Sequence, residues 1–139
     1  MAAVTQDKGI QGGISNMTPS SLISRVVEDA AVDFGVPVKQ GTNDKGCTAG
    51  IAAGDLIGIT VAEAGKDEFA EDTEARVMTI GVIWVTANAT VTAGDVPSYD
   101  SGWTTGSGVE LSEARYETGG GQGDLVQLRL WGTTAATAA

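Results

Sequence analysis

Residues 76–102 read RVMTIGVIWVTANATVTAGDVPSYDSG, and the run from Val77 to Val85 decides the fold. Its residues are β-branched or aromatic almost without a break, the composition of a pleated strand. Because a strand sends successive side chains to opposite faces, regular alternation puts Met78, Ile80, Val82 and Trp84 on one side. Val77, Thr79, Ile83 and Val85 fall on the other, with Gly81 between them. Neither side is polar. A strand on a half-wetted sheet alternates apolar with polar, so this one is expected to be covered on both faces, by the core of its own barrel and by a second surface beyond it.

The rest of the chain frames that strand. Its 139 residues suffice for one domain with a real core and not for two. A hydrophobic content of 42% with 19% charged residues is globular. Twenty glycines beside 5% aromatics indicate many turns joining short strands around a modest core, which excludes a helical bundle. The net charge of −10, with only eight Lys and Arg, argues against nucleic acid, because phosphate binding needs clustered cations and these are scattered. No apolar window reaches membrane-spanning length, and the start MAAVTQDKGIQGG lacks the basic and apolar regions of a secretory signal. Synthesis as a soluble cytosolic protein, with no membrane partner, is the expectation.

Read along the chain, residues 1–21 are polar and glycine-rich, with isolated apolar positions at Val4, Ile10, Ile14 and Met17, the composition of an extended arm. From Leu22 onward LISRVVEDAAVDFGVPVKQG forms two extended apolar pieces, with Pro37 favouring a sheet edge. Gly54-Asp55 reads as a turn before the strand-length run Leu56 to Val61. Ala-Gly-Asp recurs at 53–55 and 93–95, two uses of one turn chemistry and not a repeat. VELSEARYE is open between a short helix and a strand, since it is too short for a stable isolated helix. DLVQLRLW is a clean strand with Val126, Leu128 and Leu130 inward and Gln127 and Arg129 outward. The tail GTTAATAA has nothing to pack.

Reactive chemistry is scarce. Histidine is absent, which removes the Ser-His-Asp and Cys-His nucleophile systems and nearly all transition-metal sites. Cys47 is the only cysteine, so no internal disulfide exists. Its setting NDKGCTAG reads as loop, giving an unreactive surface or half-buried thiol with no general base beside it. Six carboxylates between Glu63 and Glu74 form a solvated, self-repelling loop. The ligand spacing of an EF-hand is missing there, so calcium is not indicated. GGGQG at 119–123 precedes a strand and lacks the Lys-Ser/Thr of a phosphate loop, so it is a hairpin loop. Carboxylate catalysis on a sugar would need an aromatic-lined cleft, and Trp84 and Trp103 are better read as core packing and loop anchoring. No catalytic residue, metal or cofactor is expected.

The order of these pieces resembles the structural cement (head decoration) family of tailed bacteriophages. The matching positions begin with the Phe-Gly-x-x-Val step at Phe34, Gly35 and Val38, then Gly58 and Ile59 ahead of the acidic loop. Gly81, Trp84, Val85, Val91, Gly94, Asp95 and Tyr99 follow along the central strand and its exit. Ala114 to Thr118, Arg129 and Leu130 complete the set. The likeness covers residues 22–131.

The resemblance implies an all-β fold, a small decoration-protein-like β-barrel over 22–131; the extended N-terminal arm (1–21) and the short C-terminal tail (132–139), read from their composition, lie outside it. It also implies that EARYE is extended. The function it implies is to sit on the outside of a phage head, made in the bacterial host cytoplasm, and to bridge neighbouring major capsid proteins, with copies gathered as trimers around local threefold axes. Binding only the mature lattice would add its free energy to the cost of opening the shell. On this view the arm, through Ile10, Ile14, Met17 and Leu22, grips the shell. An arm of that length extends to roughly 70 Å. Val77, Thr79, Ile83 and Val85 would meet a sister subunit or the shell. The alternative is a particle-displayed, small glycan-binding β-domain, which would show a groove with several exposed aromatics.

Overall fold

The computed structural model describes residues 11–14, 20–28, 30–50, 56–63, 68–132 and, for the backbone, 135–137. The described elements are all strands: β1 (Ser21–Val27), β2 (Val32–Asp33), β3 (Pro37–Gln40), β4 (Gly46–Ala49), β5 (Gly58–Thr60), β6 (Glu68–Phe69) and β7 (Glu74–Thr86). They continue with β8 (Ser98–Tyr99), β9 (Trp103–Thr104), β10 (Val109–Leu111), β11 (Ala114–Tyr116), β12 (Leu125–Leu130) and β13 (Ala135–Thr137).

The main sheet runs β1-β4-β3-β5-β7-β12-β11, and β1 also pairs with β7, so β1, β4, β3, β5 and β7 close into a five-stranded barrel. Closure depends on one parallel contact, Val26 and Val27 of β1 against Gly46 and Cys47 of β4. Val27, Val32, Phe34, Val38, Cys47, Phe69, Ala75 and Val77 fill this barrel. Phe69, within the acidic stretch, is fully buried and meets Phe34 edge-on at 5.0 Å. Its strand β6 pairs with β2, so the carboxylate-rich segment is more than a solvated loop. Pro37 lies inside the sheet and not at an edge, because it opens β3, where the missing amide costs least.

β7 is 13 residues long and outruns the barrel. Its second half pairs antiparallel with β12, Gly81 opposite Leu130 through Thr86 opposite Leu125, and β12 pairs with β11. Between the halves the register against β1 slips, from Met78 opposite Leu22 to Ile80 opposite Ser21, which makes Thr79 an extra residue. Such a bulge shifts the alternation by one. Val77 therefore points into the barrel, while Met78, Ile83 and Val85 enter a second core with Ile59, Trp103, Leu111, Tyr116, Val126, Leu128 and Leu130.

The first half of the strand borders both cores, Val77 in the barrel and Met78 in the second core, whereas along the second half only the face of Ile83 and Val85 lines a core. This corrects the expectation of a face made by Val77, Thr79, Ile83 and Val85: Val77, Ile83 and Val85 are fully buried within the subunit and Thr79 is half-buried.

A four-stranded sheet, β13-β10-β8-β9, contributes Trp103 and Leu111 to the second core. The indole N–H of Trp103 donates to the Gly35 carbonyl at 2.7 Å and the Tyr116 hydroxyl donates to the Thr104 carbonyl at 2.7 Å, which ties this sheet to the barrel and to β11. Buried Trp and Tyr need such partners for their polar ends. The tail is not idle, as β13 pairs antiparallel with β10, Thr137 opposite Val109. EARYE is extended, with β11 and β12 joined as a hairpin through the GGGQG loop.

Candidate interaction surface

Once both cores are filled, the large apolar side chains left exposed among the described residues are Ile14, Val26, Ile80 and Trp131. Reactive centres are not what surrounds them. Among the described residues no cluster of His, Cys, Asp and Glu is placed to hold a metal ion. Cys47, expected on a loop, is a fully buried residue of β4, and burial pushes its thiol upward despite the opposing charge of Arg25.

The arm residues divide. Ile10 and Met17 lie outside the described residues. Leu22 is half-buried against the second core, so it serves the fold. Ile14 is 39% exposed and forms a bridge to Ile83 of β7. Just before it the backbone is stitched to the barrel. The Gly12 amide donates to the Trp84 carbonyl at 2.7 Å, the Trp84 amide to the Gly13 carbonyl at 2.9 Å, and the Ala62 amide to the Gly12 carbonyl at 2.8 Å. The side chain of Gln11 donates to the Phe34 carbonyl at 3.0 Å and bonds to the Thr86 hydroxyl. Residues 11–14 thus continue the sheet on the edge of β7 away from β12.

The outward face of that sheet carries a second feature. In the β7–β12 register Val82 lies opposite Arg129 and Trp84 opposite Gln127, and in the β12–β11 register Arg129 lies opposite Arg115. Alternation sends these side chains away from the second core. Val82 is buried although it belongs to neither core, and Trp84 is half-buried. The guanidinium carbons of Arg129 and Arg115 lie 5.2 and 5.7 Å from the Trp131 ring centroid, and the ring itself is 42% exposed. Arg129 also pairs with Glu117 at 2.9 Å. The outward direction of Arg129 is legible from the alternation of DLVQLRLW. The meeting of two arginines with Trp131 depends on the register of β11 against β12, which alternation does not supply.

The family described as structural cement protein (E217 gp24/Pam3 gp6) matches residues 2–131. The chain belongs to this family, and the match takes in the arm that the sequence motifs left out. Among solved structures, a chain from "The capsid of Myoviridae Phage XM1" has a TM-score of 0.61 at 16% identity, covering 93% of this chain and 97% of that one. At that identity the likeness speaks for the fold. The comparison with curated proteins gave no match. The protein is a structural decoration protein of a phage capsid, and stabilising the capsid is its role.

Proposed function

We propose that the protein binds the outer surface of the phage head and bridges neighbouring major capsid proteins, clamping the lattice in its mature form. The observation that carries this is the arm. Residues 11–14 are held along the edge of β7, so whatever precedes them is launched from a fixed point on the barrel. A tethered segment that adds as a strand to a neighbour gains main-chain hydrogen bonds along its length. Ordering it costs about 1–2 kcal/mol of backbone entropy per residue, so repeated contacts are needed to hold it. Ile10, Ile14 and Met17 supply apolar anchors in this reading; Leu22 does not.

Copies gather as trimers around local threefold axes, with contacts built from exposed positions such as Val26, since Val77, Ile83 and Val85 are used inside the subunit. The work is mechanical and needs neither catalysis nor a cofactor. The net charge of −10 favours a protein partner over nucleic acid. The protein is made in the host cytoplasm and ends on the virion. A glycan-binding role is not favoured: among the tryptophans Trp131 is exposed, Trp84 half-buried and Trp103 buried, which is no aromatic groove.

The test is co-sedimentation of purified protein with expanded, undecorated heads. Deleting residues 2–10 leaves every described hydrogen bond in place, so thermal unfolding should hold while head binding falls at least tenfold. Deleting residues 2–21 also removes the stitches to Trp84 and Ala62, so that variant should unfold more readily as well. If the protein lacking residues 2–10 binds heads as tightly as the full chain, the arm is not the anchor.

A further inference from the structure

We infer that the outward face of the β7–β12–β11 sheet, centred on Arg115, Arg129 and Trp131, docks a carboxylate-bearing segment of the major capsid protein; this rests on the capsid-binding reading above. Three observations converge on that face. Arg115 and Arg129 occupy directly opposed positions of an antiparallel pair, where like charges are unfavourable, and the ion pair of Arg129 with Glu117 supplies one carboxylate for the two cations. Both guanidinium groups are gathered over one half-exposed indole. This ring orients their planes and weakens the competition from water. Two of the eight cations of a chain with net charge −10 are spent here.

The surroundings fit a protein partner. Arg and Trp are the residue types that dominate binding energy when they are desolvated at the centre of an interface. The half-buried Trp84 and the exposed Ile80 extend an apolar margin along β7, next to the arginine row. Arg115 already donates to the Ser112 and Ala114 carbonyls, at 3.2 and 2.6 Å, which fixes the guanidinium before any partner arrives. A planar, pre-positioned donor fork matches a carboxylate in two-point fashion.

Continuity favours the shell over a second copy as occupant. The arm enters along the opposite edge of β7, so arm and arginine face belong to one sheet and can engage one neighbour together. The acidic remainder of the surface repels an acidic partner everywhere else, which fixes the orientation of docking.

The experiment measures binding of the full chain to expanded, undecorated heads between about 50 and 300 mM salt, a range over which exposed charges become screened. Wild type is compared with Arg115→Gln/Arg129→Gln, with Trp131→Ala, and with Lys39→Gln/Lys45→Gln, which removes the same charge elsewhere. The arginine pair should weaken binding at least tenfold at low salt and flatten its salt dependence. Trp131→Ala should weaken it to a similar degree, and the lysine pair should change it less than threefold. All four proteins should remain folded at the temperature of the binding assay, checked by thermal unfolding, because the altered side chains lie outside both cores and their contacts with Glu117, Ser112 and Ala114 are at the surface. Equal losses from the arginine and lysine pairs would reduce the effect to net charge and overturn the inference. Unchanged binding by the arginine variant overturns it too, while leaving capsid binding intact, whereas failure of wild type to bind heads overturns both. In Arg115→Lys/Arg129→Lys protein on heads, carbodiimide should join the new amines to acids of the capsid protein. Links to another copy of the chain instead would show that the occupant was wrongly chosen.

Discussion

Glu28 follows β1 and places its carboxylate in the turn between β3 and β4, where it accepts the amides of Thr42 at 2.8 Å and Asn43 at 2.9 Å. Gly46 is required beside it, since a Cβ there would lie 1.5 Å from the carboxylate. The two amide hydrogen bonds hold Glu28 below its ordinary value of 4.5. A depressed acid adds stability above its unfolded value and loses it as pH falls through the folded one. Wild type should therefore out-stabilise Glu28→Gln at neutral pH, and the gap should narrow as pH falls below the ordinary value of 4.5, as read by urea midpoints across pH. Identical midpoints at every pH would remove Glu28 from the account. Cys47, two residues from Lys45, looks like loop in the sequence; the parallel pairing of β1 with β4 buries it, and no local pattern announces a pairing across twenty residues. Cys47→Ser should cost about 1–3 kcal/mol in urea unfolding, because its hydroxyl enters an apolar barrel. A thiol reagent should label native protein only as fast as it unfolds.

At the scale of the element, β7 was legible as a strand and as a two-faced one, since Val77 to Val85 is apolar at every turn of the pleat. What alternation could not show is the bulge at Thr79, which sends residues of the same parity to different places: Val77 into the barrel, Ile83 and Val85 into the second core. Gly81 is the local sign of it. Its φ is +143°, and a Cβ there would come within 2.8 Å of Ser20 and 2.9 Å of the Met78 side chain. Gly81→Ala should destabilise the protein by about 1–3 kcal/mol, through the strained backbone and the crowding together. An unchanged denaturation midpoint would mean that the strand crosses between its two cores without needing that conformation.

For the whole molecule, strand content and turn chemistry were enough for an all-β barrel, and motif order was enough for the family. Long-range pairings were not readable: β13 joining β10, residues 11–14 joining β7, and Arg115 facing Arg129 are all set by tertiary register. The fold that results fills two cores within the subunit and gathers Arg115, Arg129 and Trp131 on one sheet face. A protein of this kind acts by linkage, since a ligand that prefers the closed lattice stabilises it in proportion to its occupancy and affinity. The most direct measurement is calorimetry of expanded heads with and without saturating protein. Decorated heads should melt at a higher temperature, by an amount that rises with occupancy until the sites are full. Heads that bind the protein and melt at the same temperature as bare ones would contradict its role as cement.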